Sequence, residues 1–234
     1  MLKTETVEGT LSIQVIIPTL NEEEGVGPTI ADLQAHLSDP RVLVVDGRSI
    51  DRTVEFAKKM GADTVFQDRI GKGDALAKAF QYSDLDVDYV VITDADYTYP
   101  AEYVPEMIQI SEENPDVGMV CGNRLNGGQV DTKALRDVFY LGNRLISFAA
   151  NLLNGVHLDD PLTGLRVIRA EILRNWVVRS KGFDVEVELN HHVERMGFGI
   201  AEIPIHYRER LGEKKLKVRH GATILKRILL ETTY

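Results

Sequence analysis

Three short runs constrain this chain most: Ser12–Pro18 (SIQVIIP), Arg41–Asp46 (RVLVVD) and Tyr89–Thr93 (YVVIT), each apolar at neighbouring as well as alternate positions. Successive side chains of a strand point to opposite faces, so these strands carry two apolar faces and need cover on both. Helical patterns between them supply that cover, at about residues 24–37, at Thr53–Met60 behind a cap from Ser49 or Asp51, and at Asp74–Tyr82. Further strands are expected at Thr64–Gln67, from Gly118 onward and at Ala201–His206, with helices at about 135–154 and 186–195. Strands alternating with helices predict an α/β fold, a Rossmann-like, mostly parallel sheet flanked by helices in a single domain. Such sheets bind ligands beyond the carboxyl ends of their strands. Pro18, Asp46 and Asp94 fall at those ends and are expected to meet along one edge.

The 234 residues suffice for one well-buried core. A net charge of −9 argues against a general nucleic-acid binder. The single cysteine, Cys121, excludes an internal disulfide and reads as a small core residue. Residues 1–10 hold no apolar run resembling a signal peptide, and no stretch reaches the roughly 18–20 apolar residues that span a bilayer. The expectation is a cytoplasmic protein, soluble or peripheral on a membrane surface.

The chemistry concentrates at Asp94-Ala95-Asp96, directly after a buried strand. Two carboxylates one residue apart need a counter-charge, and Mg²⁺ or Mn²⁺ supplies one while keeping positions open for phosphate oxygens. The alternative is a pair of turn residues ahead of a helix at Pro100. Asp46 can accept hydrogen bonds from a base or ribose, or close an Asx-turn on Ser49, and the two are compatible. The first strand runs into Pro18-Thr19-Leu20-Asn21-Glu22, with none of the glycines of a dinucleotide site. Gly71-Lys72-Gly73 does not match a phosphate loop either. His191 and His192 are neighbours on a helix, about 100° apart, and cannot chelate together. Trp176 reads as core. Val218–Leu230 mixes Arg219, Lys226 and Arg227 with Ile and Leu, which fits an amphipathic helix on a membrane, on the domain or on a second copy.

In order along the chain come strand-Pro-Thr-Leu-Asn-Glu, strand-Asp-Gly-Arg-Ser-x-Asp-x-Thr, Gly-Lys-Gly-x-Ala and strand-Thr-Asp-Ala-Asp. Together these resemble the inverting family-two glycosyltransferases of GT-A fold. Asp159–Arg166 (DDPLTGLR), Gly182-Phe183-Asp184 with Glu186 and Glu188, and Glu202-Ile203-Pro204-Ile205 resemble the dolichyl-phosphate and polyprenyl-phosphate sugar synthases. The resemblance implies a GT-A domain over residues 1–217 followed by a basic amphipathic helix at 218–234. It assigns Pro18, Leu20, Glu22, Asp46, Lys72, Asp94 and Ala95 to the nucleotide sugar, and Asp94, Asp96 and Thr98 to a Mg or Mn ion. Arg124 and Arg136 match positions near the acceptor phosphate, and Arg208, Arg210, Lys214 and Lys215 match a basic loop closing over the pyrophosphate. Asp96, Arg124, Asp160 and Arg210 are the implied catalytic group, with Asp160 either a base or the residue that orients an arginine or the sugar.

Three departures stand out. Asp46-Gly47 replaces a pair of acidic residues, Thr98 replaces the glutamine of mannose-type relatives, and the chain ends at Tyr234 without the membrane helices of many relatives. Gly71–Ala75 looks more like the glucose and N-acetylhexosamine branches, which implies a UDP-sugar ahead of GDP-mannose. A lipid phosphate acceptor is already an anion, so the expected protein contribution is alignment and charge stabilisation, work suited to arginine. The alternatives are a family-two enzyme acting on a glycan or small-molecule hydroxyl, a sugar-nucleotide nucleotidyltransferase, and a non-catalytic nucleotide-binding module.

Overall fold

The computed structural model describes residues 11–83, 85–125, 158–213, 215 and 220–231. Its strands are β1 (Ile13–Thr19), β2 (Arg41–Asp46), β3 (Asp63–Phe66), β4 (Tyr89–Ile92), β5 (Val117–Asn123), β6 (Arg166–Arg169) and β7 (Gly199–Pro204). The helices are α1 (Val26–His36), α2 (Thr53–Lys59), α3 (Lys72–Tyr82), α4 (Val104–Glu113), α5 (Ala170–Leu173), α6 (Val185–Arg195) and α7 (His220–Glu231). The seven strands form one sheet in the order β3-β2-β1-β4-β6-β5-β7. Every pairing is parallel except those of β6, which runs antiparallel to both β4 and β5.

The doubly apolar strands behave as their sequences require. Ile13, Val15, Ile17, Val42, Val44, Tyr89 and Val91 face a core covered by α1, α2 and α4. Ile16, Leu43, Val45, Val90 and Ile92 face a second core with α3, α5 and α6, which includes Trp176 and Cys121. Burial of that much apolar side chain on both faces is the main source of stability in such a sheet. The strand expected at Thr64–Gln67 begins and ends one residue earlier, and the helix expected from Asp74 begins at Lys72. The helix expected at about 135–154 lies outside the described residues.

β6 was not anticipated, since four residues with arginine at both ends (RVIR) give no strand pattern. Its direction matters for the site. A parallel strand brings the loop that follows it to the carboxyl edge, whereas an antiparallel strand brings the loop that precedes it. Ile92 at the end of β4 and Cys121 near the end of β5 both pair with Arg166, the first residue of β6. Residues 158–165 therefore arrive at the same edge as Asp94 and Asn123.

Candidate active site

β1 and β2 end in register at Thr19 and Asp46. Asp46 is fully buried and closes the turn, accepting from Ser49 N at 2.7 Å, Ser49 Oγ at 2.5 Å and Thr19 Oγ1 at 3.1 Å. Its carboxylate is engaged by the turn itself. Leu20 is exposed beside Gly47, and Pro18 pairs with Val45 inside the sheet. Asn21, Arg48 and Tyr97, one after each of β1, β2 and β4, adopt positive φ, which turns the chain sharply at each strand end.

β4 delivers Asp94, Ala95 and Asp96. The Asp94 side chain is 34% exposed and that of Asp96 only 4%. Lys72 Nζ donates to Asp94 Oδ1 at 2.7 Å and lies 2.8 Å from Glu186 Oε1 on α6. Thr98 is fully buried and donates to Asp96 Oδ1 from its hydroxyl at 2.5 Å and its backbone N–H at 3.1 Å. Ala95 is buried, its carbonyl close against Gly25.

The basic segment after β7 folds onto this cluster. Arg208 N donates to Thr98 O at 2.9 Å and Leu211 N to Asp96 O at 3.0 Å, so residues 208–211 run alongside 96–98. Arg210 bonds Asp96 Oδ2 with one nitrogen and Glu22 Oε1 with another at 2.5 Å. Lys215 Nζ donates to Asn21 O at 2.8 Å and sits 3.6 Å from Glu22. Arg208 is directed elsewhere, donating to Asp32 Oδ2 on α1 at 2.7 Å and covering the Tyr97 ring. Lys214 lies outside the described residues.

Anions and cations are thus interleaved, and burial and neighbouring charge compete to set each group's affinity for a proton. Burial pushes the Asp94 carboxyl up, but Lys72, with Arg124 and Arg210 beyond it, overrides this and holds it below its usual range. Burial and the charge of Asp94 both raise Asp96. Glu22 is pushed up to about 7 by burial, against the lowering pull of Arg210 and Lys215. Burial opposes the charge on Lys72, yet Asp94 and Glu186 hold its pKa above the ordinary lysine value.

Gly71 and Gly73 have a packing role. A Cβ on either would fall 2.2 Å from a carbonyl oxygen, Lys181 O and Ser180 O respectively. The first amides of α3 are taken by carbonyls of the same segment, Gly73 N by Gly182 O at 3.2 Å and Asp74 N by Lys181 O at 3.4 Å. Those amides are not turned to a phosphate; the close approach instead seats Lys72 between Glu186 and Asp94. Glu188 holds the facing segment by accepting from Arg179 N and Ser180 N at 2.8 and 2.6 Å.

On the other side of β6, Arg124 follows β5 and meets Asp160 in a planar fork, Nε to Oδ2 and Nη2 to Oδ1, both 2.7 Å. The Arg124 backbone N–H also donates to Asp160 Oδ2, at 3.0 Å, and the guanidinium lies 5.6 Å from the Tyr207 ring centre. Arg136 lies outside the described residues. Sequence reading gave no role to Arg166, which is almost wholly buried and donates to Thr163 O at 3.0 Å, Pro161 O at 2.8 Å and Asn190 Oδ1 at 2.5 Å. No motif spacing reveals that clamp, because its acceptors are backbone carbonyls and one amide.

The donor set suits a hard divalent cation. Asp94 and Asp96 offer carboxylate oxygens, and Asp94 Oδ2 faces a cradle at Gly164, where a Cβ would intrude to 2.5 Å. Among the described residues no three His, Cys, Asp or Glu side chains could hold a metal by themselves. A cation here needs oxygens from a ligand, which a diphosphate provides.

Comparison with known proteins places these features among relatives. The model of glycosyl transferase family 2 matches residues 14–177. The dolichyl-phosphate hexose transferase of Haloferax volcanii is 37% identical over 220 residues, covering 93% of this chain and 92% of that protein. An undecaprenyl-phosphate mannosyltransferase of Micrococcus luteus is 28% identical over 221 residues, covering 88% of each. Glucosyl-3-phosphoglycerate synthase of Mycobacterium tuberculosis, solved with Mn²⁺, UDP-glucose and phosphoglyceric acid, superposes with a TM-score of 0.75 at 22% identity, over 95% of this chain and 80% of that one.

Proposed function

The chain belongs to glycosyl transferase family 2, and on that premise we propose that it moves a hexose from a nucleotide diphosphate to a dolichyl or other polyprenyl phosphate, with inversion. The observation that carries the reading is the two-sided edge. A carboxylate pair framed by Lys72 and Arg210 faces an arginine fork, Arg124 on Asp160, in a chain 37% identical to a dolichyl-phosphate hexose transferase.

A phosphate oxygen of the acceptor attacks the anomeric carbon as the bond from that carbon to the diphosphate breaks. The attacking group is already ionised near neutral pH, so no base is required. Asp160, whose two oxygens are committed to Arg124, orients the guanidinium. Arg124 and Arg136 take the acceptor phosphate; an arginine fork suits phosphate because its donors match the oxygens pairwise. Lys72, Arg210 and Lys215 pass from carboxylates to the leaving diphosphate, joined by Lys214, while Arg208 anchors the segment on α1. Pro18, Leu20, Glu22, Asp46 and Ala95 frame the nucleotide. A Mg²⁺ or Mn²⁺ would be held by Asp94 and Asp96 and would neutralise charge on the diphosphate, with Thr98 fixing Asp96.

A UDP-sugar is favoured from the resemblance of Gly71–Ala75, with GDP-mannose second. The relatives' lipid acceptors support a peripheral place on a membrane. Among the described residues no helix is long and apolar enough to cross one. The test is incubation of labelled UDP-glucose, UDP-N-acetylglucosamine and GDP-mannose with a short polyprenyl phosphate. The expected product enters the organic phase and is released by mild acid. Label that stays in an acid-resistant glycoside would move the acceptor to a hydroxyl.

A further inference from the structure

Glu202 on β7 reaches the loop that carries Asp160 and does so twice. Its Oε2 accepts from Asp159 N at 2.7 Å and its Oε1 from Asp160 N at 2.8 Å. A carboxylate is suited to this task, since two consecutive N–H groups meet two oxygens and both bonds are charge-assisted. β7 is parallel to β5, with Glu202 beside Cys121, two residues before Asn123. The strand that fixes Glu202 is therefore hydrogen-bonded to the strand that delivers Arg124.

The loop is held from its other sides as well. Thr163 Oγ1 donates to Gly122 O at 2.5 Å, Gly164 N donates to Tyr99 Oη at 2.7 Å, and Arg166 binds the carbonyls of Pro161 and Thr163. Within the loop Thr163 N donates to Asp160 O at 3.2 Å, and Glu202 takes the Asp160 N–H, holding that backbone from β7 immediately next to the side chain that forks with Arg124. A shift of the fork by about 1 Å is enough to cost on the order of 100-fold in rate when it aligns reacting groups.

We propose that Glu202 is a positioning residue for the acceptor side of the reaction, acting through the Asp160 backbone to aim Arg124. The proposal rests on the function put forward above. It separates Glu202 from the donor side, where Lys72, Arg210 and the aspartate pair have no contact with it among the described residues.

The experiment is a double-mutant cycle on the full chain with Glu202→Gln, Asp160→Asn and the pair, using a short polyprenyl phosphate and the preferred labelled donor. Glutamine keeps one oxygen but turns an NH₂ toward the second N–H, so one arm of the clasp is lost. Glu202→Gln is expected to lower kcat/KM for the lipid phosphate about 10- to 100-fold while nucleotide affinity stays within about twofold. Once Asp160 no longer forks with Arg124, the Glu202 substitution has little left to disturb, so the pair should match Asp160→Asn alone. Glu202→Asp, which retains both oxygens, should recover part of the loss, and guards against a Gln variant that merely folds poorly. Effects that multiply independently, or nucleotide affinity falling in step with turnover, would overturn the proposal. Wild-type protein that transfers nothing to the lipid phosphate overturns the acceptor reading itself, and this proposal with it.

Discussion

Glu22 illustrates how burial sets chemistry one side chain at a time. Its pKa, pushed up to about 7, means the folded chain takes up that proton more readily than the unfolded one. The associated stability is therefore full below the ordinary carboxylate value of 4.5 and is lost as pH rises through about 7. Glu22→Gln should raise Tm more at pH 8 than at pH 5, by roughly 2–4 °C, in calorimetry with EDTA present; equal changes would mean an ordinary carboxylate. Cys121 makes the same case with a thiol. Burial pushes its thiol up to about 12, so Ellman's reagent at pH 8 should leave it unmodified until denaturant is added. At this scale the sequence was readable where a side chain has few possible tasks. Asp94 and Asp96 stand out because paired carboxylates after a buried strand demand cations, and Asp46 because its spacing to Ser49 fits a turn. Glu202 and Arg166 were not readable as working residues, because what they grip is backbone, which every residue has.

Elements were legible in proportion to their apolar content. β1, β2 and β4 announce themselves by apolar runs, whereas β6, equal in length to β4, is bounded by arginines and gains its strand character from the neighbours on either side. Without β6 the sheet reads as wholly parallel, and the reason Asp160 joins the edge is lost. The carboxy-terminal segment was open between an amphipathic helix on a membrane surface, one on the domain and one on a second copy. α7 packs on α6, with Ile224 and Ile228 against Val187. Arg227, counted in the sequence as part of a basic face, is instead drawn inward onto Asp184 at 3.1 Å and Glu231 at 3.3 Å. Leu225, Leu229, Leu230 and Lys226 face outward. Arg227→Ala would leave buried Asp184 short of a cation while Glu231 keeps Arg195, and breaking a buried pair costs ~3–5 kcal/mol. Loss of α7 packing should show as a fall in Tm of several degrees with unchanged nucleotide affinity; a fall in both would tie α7 to the donor site.

For the molecule as a whole, the arrangement of charge predicts competition. Arg210 occupies Asp96 and Glu22 in the described state, so it opposes a metal ion arriving alone and assists a diphosphate arriving with one. Arg210→Ala should bind Mn²⁺ alone more tightly and UDP with Mn²⁺ more weakly, each by about 3- to 10-fold in calorimetric titration, since a ligand shifts only the states it binds differently. Changes of the same sign would place Arg210 outside that exchange. The fold class was readable because both sheet faces had to be covered. The pairing of donor and acceptor sides was not, because it depends on which strand lies between them. Asp94 leaves β4 and Arg124 leaves β5, and the single reversed strand β6 separates them by two strand spacings, roughly 9–10 Å. Hydrogen-bonded strands make that interval a fixed ruler. A graft that replaced the loops on one side could re-specify the molecule glycosylated without recalibrating the grip on the sugar being given away.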